Sequence, residues 1–267
     1  RDARPLVLRE RVAGATERLR IGTMVFNNDF RNPVVLASEA AALDMLSGGR
    51  FELGLGAGHA FPEYERAGIP FDPAGVRVER LAEAVEIIQH LLRGETVSFA
   101  GKHYAVDGAD VRVPVVQSPV PLVIGGWGRK LLALAATRAD VVGITGAGRT
   151  RADGITHDPS GFRSAAVDER VAYVRSLANG RDIELQALVQ AVIVTDNREA
   201  AATKLLDQFE SDLTAADLLE CPFVLIGTED QLVAELLAHR ERWGITYFTV
   251  FEPFIETFAP VIAALSN

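Results

Sequence analysis

Apolar residues recur three or four apart through "VRVERLAEAVEIIQHLLRG", where Val78, Leu81, Val85, Ile88 and Leu92 form one stripe of a long helix that Gly94 ends. A second helix is punctuated at both ends in "NPVVLASEAAALDMLSGGR". Asn32 is its N-cap, Pro33 its first helical residue, and the glycine pair stops it near Ser47. In "TEDQLVAELLAHRERWG", Thr228 and Gln231 make a capping box and Gly244 is the stop. Further helical periodicity falls at about 6–17, 129–138, 166–179, 197–212 and 254–265. Between these lie short apolar runs: "RLRIGTMVF", "FELGLGAG", "PLVIGG", "DVVGITG", "LQALVQAVIVT" and "ITYFTVF". Runs apolar on both faces predict parallel strands covered by helices, and "TVSFAGKHYAV" predicts a small hairpin. Strand and helix alternate without a linker or composition break, so residues 1–267 are expected to form a single α/β domain, either a (β/α) barrel or an open doubly wound sheet.

The positions of small and polar residues favour the barrel. "GTMVFNND", "GAGHAFPE", "IGGWGRK" and "ITGAGRTR" each follow a strand, as active-site loops do at the C-terminal ends of barrel strands. An open sheet concentrates such residues at one switch point. The glycines of "FELGLGAGHAFPEYE" are spaced G-x-G-x-G, at Gly54, Gly56 and Gly58, which is not the G-x-G-x-x-G of a dinucleotide loop. Pro62, Pro70 and Pro73 are expected to break any helix opening after them. Alternate glycines instead leave one strand face without side chains, so that a flat ring or a backbone can come close. A phosphate is better placed at "IGGWGRKLL", where Gly125, Gly126 and Gly128 precede a helix and Arg129 adds charge.

Composition narrows the chemistry. The chain has 267 residues, 48% of them hydrophobic, enough for a sizeable core. Net charge is −9 with no basic cluster, which argues against a nucleic-acid partner. The single cysteine, Cys221, excludes an internal disulfide, and no apolar run is long enough to span a membrane; a cytoplasmic protein is expected. His90 and His239 read as surface helix residues, His103 lies at the hairpin and His157 in a loop. No pair of side chains has convincing metal spacing and no G-x-S-x-G nucleophile motif occurs, so neither a metal site nor an acyl-enzyme is expected.

Taken together, "RLRIGTMVFNNDFRNPVVLASEAAALDMLSGGRFELGLGAG", "EYERAGIPFDPAGVRVERLAEAVEII", "FAGKHY", "PLVIGGWGRKLLALAATRADVVGI", "LVQAVIVT" and "GTEDQLVAELLAHRERWGITYFTVF" resemble the luciferase-like flavin and deazaflavin oxidoreductases, most closely the subgroup assigned to coenzyme F420. The resemblance implies a (β/α)8 TIM barrel of the bacterial-luciferase type with its cofactor at the C-terminal mouth. It begins at the family's third strand, so the first two βα units are expected to be missing, together with an acidic-histidine pair that relatives carry there. It further implies a cis peptide at Met24–Val25 beneath the ring, and cofactor contacts from Gly56, Ala57 and Gly58. It places Gly125, Gly126, Trp127, Gly128 and Arg129 at the ring edge and the side-chain phosphate.

Several residues keep two readings. Asn27, Asn28 and Asp29 either point into the mouth or form a polar turn. His59 is either a hydrogen-bonding acid or base, or a solvated loop residue, and Glu63 is structural. Trp127 either flanks the ring or covers the rim; Gly146, Arg149 and Arg151 either hold an anionic tail or are solvated. The expected function is hydride transfer between F420 and an organic substrate in a homodimer. The alternatives are an FMN-dependent monooxygenase and a non-catalytic flavin-binding protein on an incomplete barrel.

Overall fold

Helices and strands alternate from α1 (Pro5–Ala15) onward in a computed structural model that describes residues 5–148, 151, 156–208 and 211–266. The chain divides into two compact units, one running through Gly125 and including Arg138–Asp140, the other comprising Gly126–Thr137 and the chain from Val141.

In the first unit, β1 (Ile21–Gly22) and β2 (Phe26–Asn27) both pair in parallel with β3 (Phe51–Gly56), Ile21 opposite Phe51 and Phe26 opposite Leu55. Every residue of β3 is buried, and the strand pairs in parallel on its other edge with β6 (Leu122–Gly126). Between β2 and β3 runs α2 (Pro33–Ser47). The Asn32 side chain accepts from the N–H groups of Val34 and Val35, and Gly48 ends the helix at φ 66°, as the sequence predicts. Arg50 then holds the end of α1, donating to the carbonyls of Ala13, Thr16 and Leu19. The long helix α4 (Ala74–Leu92) buries Leu81, Val85, Ile88 and Leu92 of its predicted stripe, with Val78 half-buried.

One expectation for this unit is overturned. Residues Phe61–Ala67 form a helix, α3, despite Pro62. The proline occupies the first turn, where a missing N–H costs no hydrogen bond, and Gly68 caps the far end at φ 66°.

The predicted hairpin is present as β4 (Val97–Ala100) and β5 (Ala105–Ala109), paired antiparallel. Glu83 of α4 ties down its turn, accepting from the N–H groups of Lys102 (2.8 Å), His103 (2.9 Å) and Tyr104 (3.0 Å). Burial raises the Glu83 pKa, but these three donors together outweigh it and hold the carboxyl below its ordinary value. A carboxylate with a depressed folded value stabilises fully above its unfolded value of about 4.3, and the contribution is lost as pH falls through the lower folded value. Amide exchange of residues 101–104 is therefore expected to accelerate as pH drops below about 4 once intrinsic exchange rates are divided out, and Glu83→Gln is expected to flatten that dependence. Wild-type protection factors that stay constant through this range would refute the clasp.

The second unit holds α5 (Arg129–Arg138) as far as Thr137, and the helix bounds match the periodicity. Within it β7 (Val141–Ile144) pairs in parallel with β8 (Glu184–Val189), and β8 with β11 (Ile245–Val250); α6 (Ser164–Ala178) lies between β7 and β8 in the chain. "LQALVQAVIVT" is two strands, not one. It breaks at Gln190, whose N–H donates to Phe223 O at 2.7 Å, and β9 (Ala191–Val194) then pairs with an additional strand, β10 (Val224–Gly227). The expected 197–212 helix ends early, as α7 (Arg198–Leu206), and a short α8 (Ala215–Leu219) follows. The Thr228–Gln231 capping box opens α9 (Glu229–Trp243), and α10 (Ile255–Leu265) packs with α9 against β9 and β10. Among the described residues no helix is long and apolar enough to cross a membrane.

Candidate functional site

The alternate glycines of β3 are required by the chain itself. A Cβ on Gly54 would lie 1.7 Å from the Thr23 carbonyl oxygen, and one on Gly56 would lie 2.7 Å from Val25 Cγ2 and 3.7 Å from the Gly125 carbonyl oxygen. Thr23 clasps the strand twice, its hydroxyl donating to Gly54 O and accepting from Gly54 N, both at 2.8 Å. Gly58 stands at φ +73°, and a Cβ there would lie 2.1 Å from the Tyr64 hydroxyl and 2.6 Å from the Asn27 amide. Of the two occupants that bare glycines admit, a ring or a backbone, the segment 23–27 together with Tyr64 fills these faces. The peptide bond Met24–Val25 is cis, Met24 is exposed and Val25 half-buried. Ala57 is buried.

Behind this strand end lies a polar network. The Tyr64 hydroxyl is within reach of Asp29 Oδ2 (3.0 Å), Asn27 Oδ1 (3.1 Å) and Ala57 O (3.3 Å), and its single proton serves one of them at a time. Burial foremost pushes the phenol well above its ordinary range, so Tyr64 remains a donor at any physiological pH. Asp29 pairs with Arg80 at 2.8 Å, its carboxylate almost wholly enclosed, and Arg77 donates to Ala57 O at 3.2 Å. Asn28 donates to the Tyr104 hydroxyl at 3.2 Å. Asn27–Asn28–Asp29 is thus a turn, with Asn27 accepting from the N–H of Asp29, and its side chains are built into the protein. Two of their atoms, Asn27 Nδ2 and Asp29 Oδ1, are buried without a hydrogen-bond partner. His59 follows Gly58 and is exposed; partial desolvation lowers its pKa, Glu63 opposing and Arg77 adding, which keeps the imidazole neutral near pH 7.

In the second unit Gly126, Trp127 and Gly128 lead into α5. The turn is closed on one side, where a Cβ on Gly126 would lie 2.1 Å from Leu131 Cδ2, and open at Gly128, with none of the described residues within 4 Å of that position. Arg129 is engaged with α6, 3.3 Å from Glu169 and with its guanidinium 3.9 Å from the Tyr173 ring centroid. The guanidinium of Arg170 lies 3.3 Å from the Trp127 ring centroid. No motif marks Arg170, but it falls on the buried face of α6 beside Val167, Val171 and Val174, where an arginine is out of place. Gly146 is covered by Phe162 and Phe223, and the Gly148 N–H donates to Asp158 O at 2.7 Å. The Arg151 N–H donates to Thr156 O; Arg149 lies outside the described residues. His239 corrects another expectation. It is buried, stacked on Trp243 with ring centroids 5.1 Å apart, because the α9 face it shares with Leu232 and Leu236 is the packed one.

The family model described as luciferase-like monooxygenase matches residues 5–247. The chain belongs to that family.

Among curated relatives of this luciferase-like chain is an F420-dependent glucose-6-phosphate dehydrogenase of Amycolatopsis mediterranei (strain U-32), 34% identical over 130 residues. That match takes in 48% of this chain and 39% of the relative, so the similarity spans less than half the relative's length. Solved structures of the same fold include a coenzyme F420 dependent tetrahydromethanopterin reductase from Methanopyrus kandleri, with a TM-score of 0.70 and 22% identity over 93% of this chain and 82% of that one. An EDTA monooxygenase from Chelativorans sp. BNC1 matches with a TM-score of 0.75 and 16% identity, over 100% of this chain and 78% of that one.

Proposed function

We propose that this luciferase-like chain acts as an oxidoreductase that passes a hydride between an organic substrate and a deazaflavin of the F420 type. The observation that carries the reading is the 34% identity with a relative named for that cofactor. Within the first unit, Met24, Val25, Gly56, Ala57 and Gly58 are the residues assigned to the ring, approached from the side of the exposed Met24 and not across the glycine faces that segment 23–27 and Tyr64 occupy, at a strand end stiffened from behind by Tyr64, Asp29 and Arg80. Within the second, Gly126, Trp127, Gly128 and Arg129 are proposed to hold a phosphate group. The open approach to Gly128 suits them, because the first N–H groups of α5 have no partner inside the helix. A deazaflavin, when bound, supplies two-electron hydride chemistry. His59 is the group proposed to move the accompanying proton, since a neutral imidazole nitrogen can take one from a substrate hydroxyl or return it. The dimer and the substrate class, a small organic molecule, belong to the same reading.

The family description and the EDTA monooxygenase fold favour a second reading, an FMN-dependent monooxygenase. Titrating the protein with F420 and with FMN separates the two. F420 is expected to bind at least about tenfold more tightly than FMN, a difference of about 1.4 kcal/mol. Tighter FMN binding, with oxygen consumed on reduction, would replace the first reading by the second.

A further inference from the structure

We infer that Arg170, acting through Trp127, is the charge that makes the turn before α5 select phosphate-bearing ligands. The inference rests on the proposed cofactor reading only for the identity of the ligand, and not for the presence of the charge.

Arg170 is 6% exposed, and no ion pair to it exists among the described residues. Among the described residues its hydrogen bonds are to two carbonyls, Gly161 O at 3.1 Å and Thr145 O at 3.5 Å. Nη2 is buried with no hydrogen-bond partner among the described residues. The anionic neighbour that offsets the charge is Glu169, whose side chain is 74% exposed and is itself engaged with Arg129. Burial accordingly pushes the guanidinium down to about 10, still fully charged at neutral pH. A buried cation without a carboxylate among the described residues is costly, and a ligand's negative charge would complete the balance.

The packing fixes where that charge acts. Both carbonyls accept from Nη1, and the guanidinium carbon lies 3.3 Å from the Trp127 ring centroid. Gly161 admits this arrangement because it has no side chain: a Cβ there would lie 2.7 Å from Arg170 Nη2, 2.8 Å from Trp127 Cζ3 and 2.5 Å from Gly146 O. Trp127 is one residue from Gly128 and two from the start of α5, so the cation and the N-terminal helix dipole reinforce each other at one turn. Arg170 does not touch the ligand. It is a positioning and specificity residue that orients the indole and adds a field in a medium where charge is poorly screened. Arg129, exposed and paired with Glu169, supplies the screened, salt-sensitive part.

The test is a comparison of affinities. Wild-type protein is titrated calorimetrically with F420 and with the same deazaflavin stripped of its phosphate-bearing tail, and with FMN against riboflavin. The phosphate-bearing member of each binding pair is expected to win by at least about tenfold, and Arg170→Gln, which keeps a donor for Gly161 O but not the charge, is expected to lose most of that preference. Arg170→Lys keeps the charge and is expected to retain it. Binding of the tail-less members serves as the control for folding, because a merely structural role would weaken both members equally. If the glutamine variant does not fold, the wild-type preference and the lysine variant still decide. An equal affinity for both members in wild-type protein, or an undiminished preference in folded Arg170→Gln, overturns the inference while leaving the cofactor reading intact. If neither deazaflavin nor flavin binds, inorganic phosphate is the probe. Quenching or enhancement of the Trp127 emission by phosphate, absent in Trp127→Phe and in Arg170→Gln, supports the site without the cofactor reading; no phosphate response overturns both. Phosphate that competes with F420 but not with its tail-less form assigns the site to the cofactor tail. Phosphate that binds additively with F420 assigns it to a phosphorylated substrate.

Discussion

Gly54→Ala is expected to leave little folded protein. The substitution adds one methyl group to a strand buried along its whole length, 1.7 Å from the Thr23 carbonyl oxygen and 2.8 Å from its carbon. Neither atom is the end of a flexible side chain. Thr23 cannot retreat without giving up both hydrogen bonds of its hydroxyl to Gly54, and β3 cannot retreat without opening its register with β6. Overpacking that must move backbone lies at the top of the range for single substitutions, about 4 kcal/mol or more, against a total stability of about 5–15 kcal/mol. Gly128→Ala is the matched control. None of the described residues lies within 4 Å of the added methyl, so a change within about 0.5 kcal/mol is expected. Urea unfolding followed by circular dichroism compares the two, and a Gly54→Ala midpoint equal to that of wild type would mean that Thr23 does not sit on β3 as described.

That glycine also shows what a sequence discloses and where it stops. Alternate glycines announce that something approaches β3 closely, but the atom that does so belongs to Thr23, 31 residues earlier in the chain, and no local pattern names a partner at that distance. Signals that act within one turn of helix are legible: the Asn32 cap, the Thr228–Gln231 box and the stops at Gly48 and Gly244 all occur where spacing puts them. Pro62 misleads because the same residue breaks a helix interior and fits its first turn, and only the position of the helix start distinguishes the two. β10 is four residues long and owes its existence to β9, a pairing that "VLIG" cannot announce. Arg170 goes unmarked and His239 is read as a surface residue for a common reason: periodicity is read from apolar residues, and a polar residue on the buried face registers as a gap in the stripe. Such gaps are where a buried charge or a stacked ring is found, and they are worth reading as positively as the stripe itself.

The strand end in the first unit gives the second large effect, and a way to separate strain from collision. Gly58→Ala places an L-residue at φ +73°, which costs about 1–2 kcal/mol by itself. Its methyl would also lie 2.1 Å from the Tyr64 hydroxyl. Tyr64 cannot swing aside: it is wholly buried, its ring 4.9 Å from that of Phe30 and 4.8 Å from that of Phe71. The sum is expected to be about 3 kcal/mol. Tyr64→Phe removes the oxygen and costs about 1–2 kcal/mol alone, because Asp29 and Asn27 lose a donor inside the protein. The double variant is expected to be about 1 kcal/mol more stable than the sum of the single changes, since the methyl and the hydroxyl no longer compete for one space. Additive costs in denaturant unfolding would show that the loop carrying Gly58 yields independently of Tyr64. The same pair bears on function through His59. If the network fixes the loop, F420 affinity falls in Gly58→Ala and is partly restored in the double variant, following the coupling energy and not the total stability, which is lowest in the double variant.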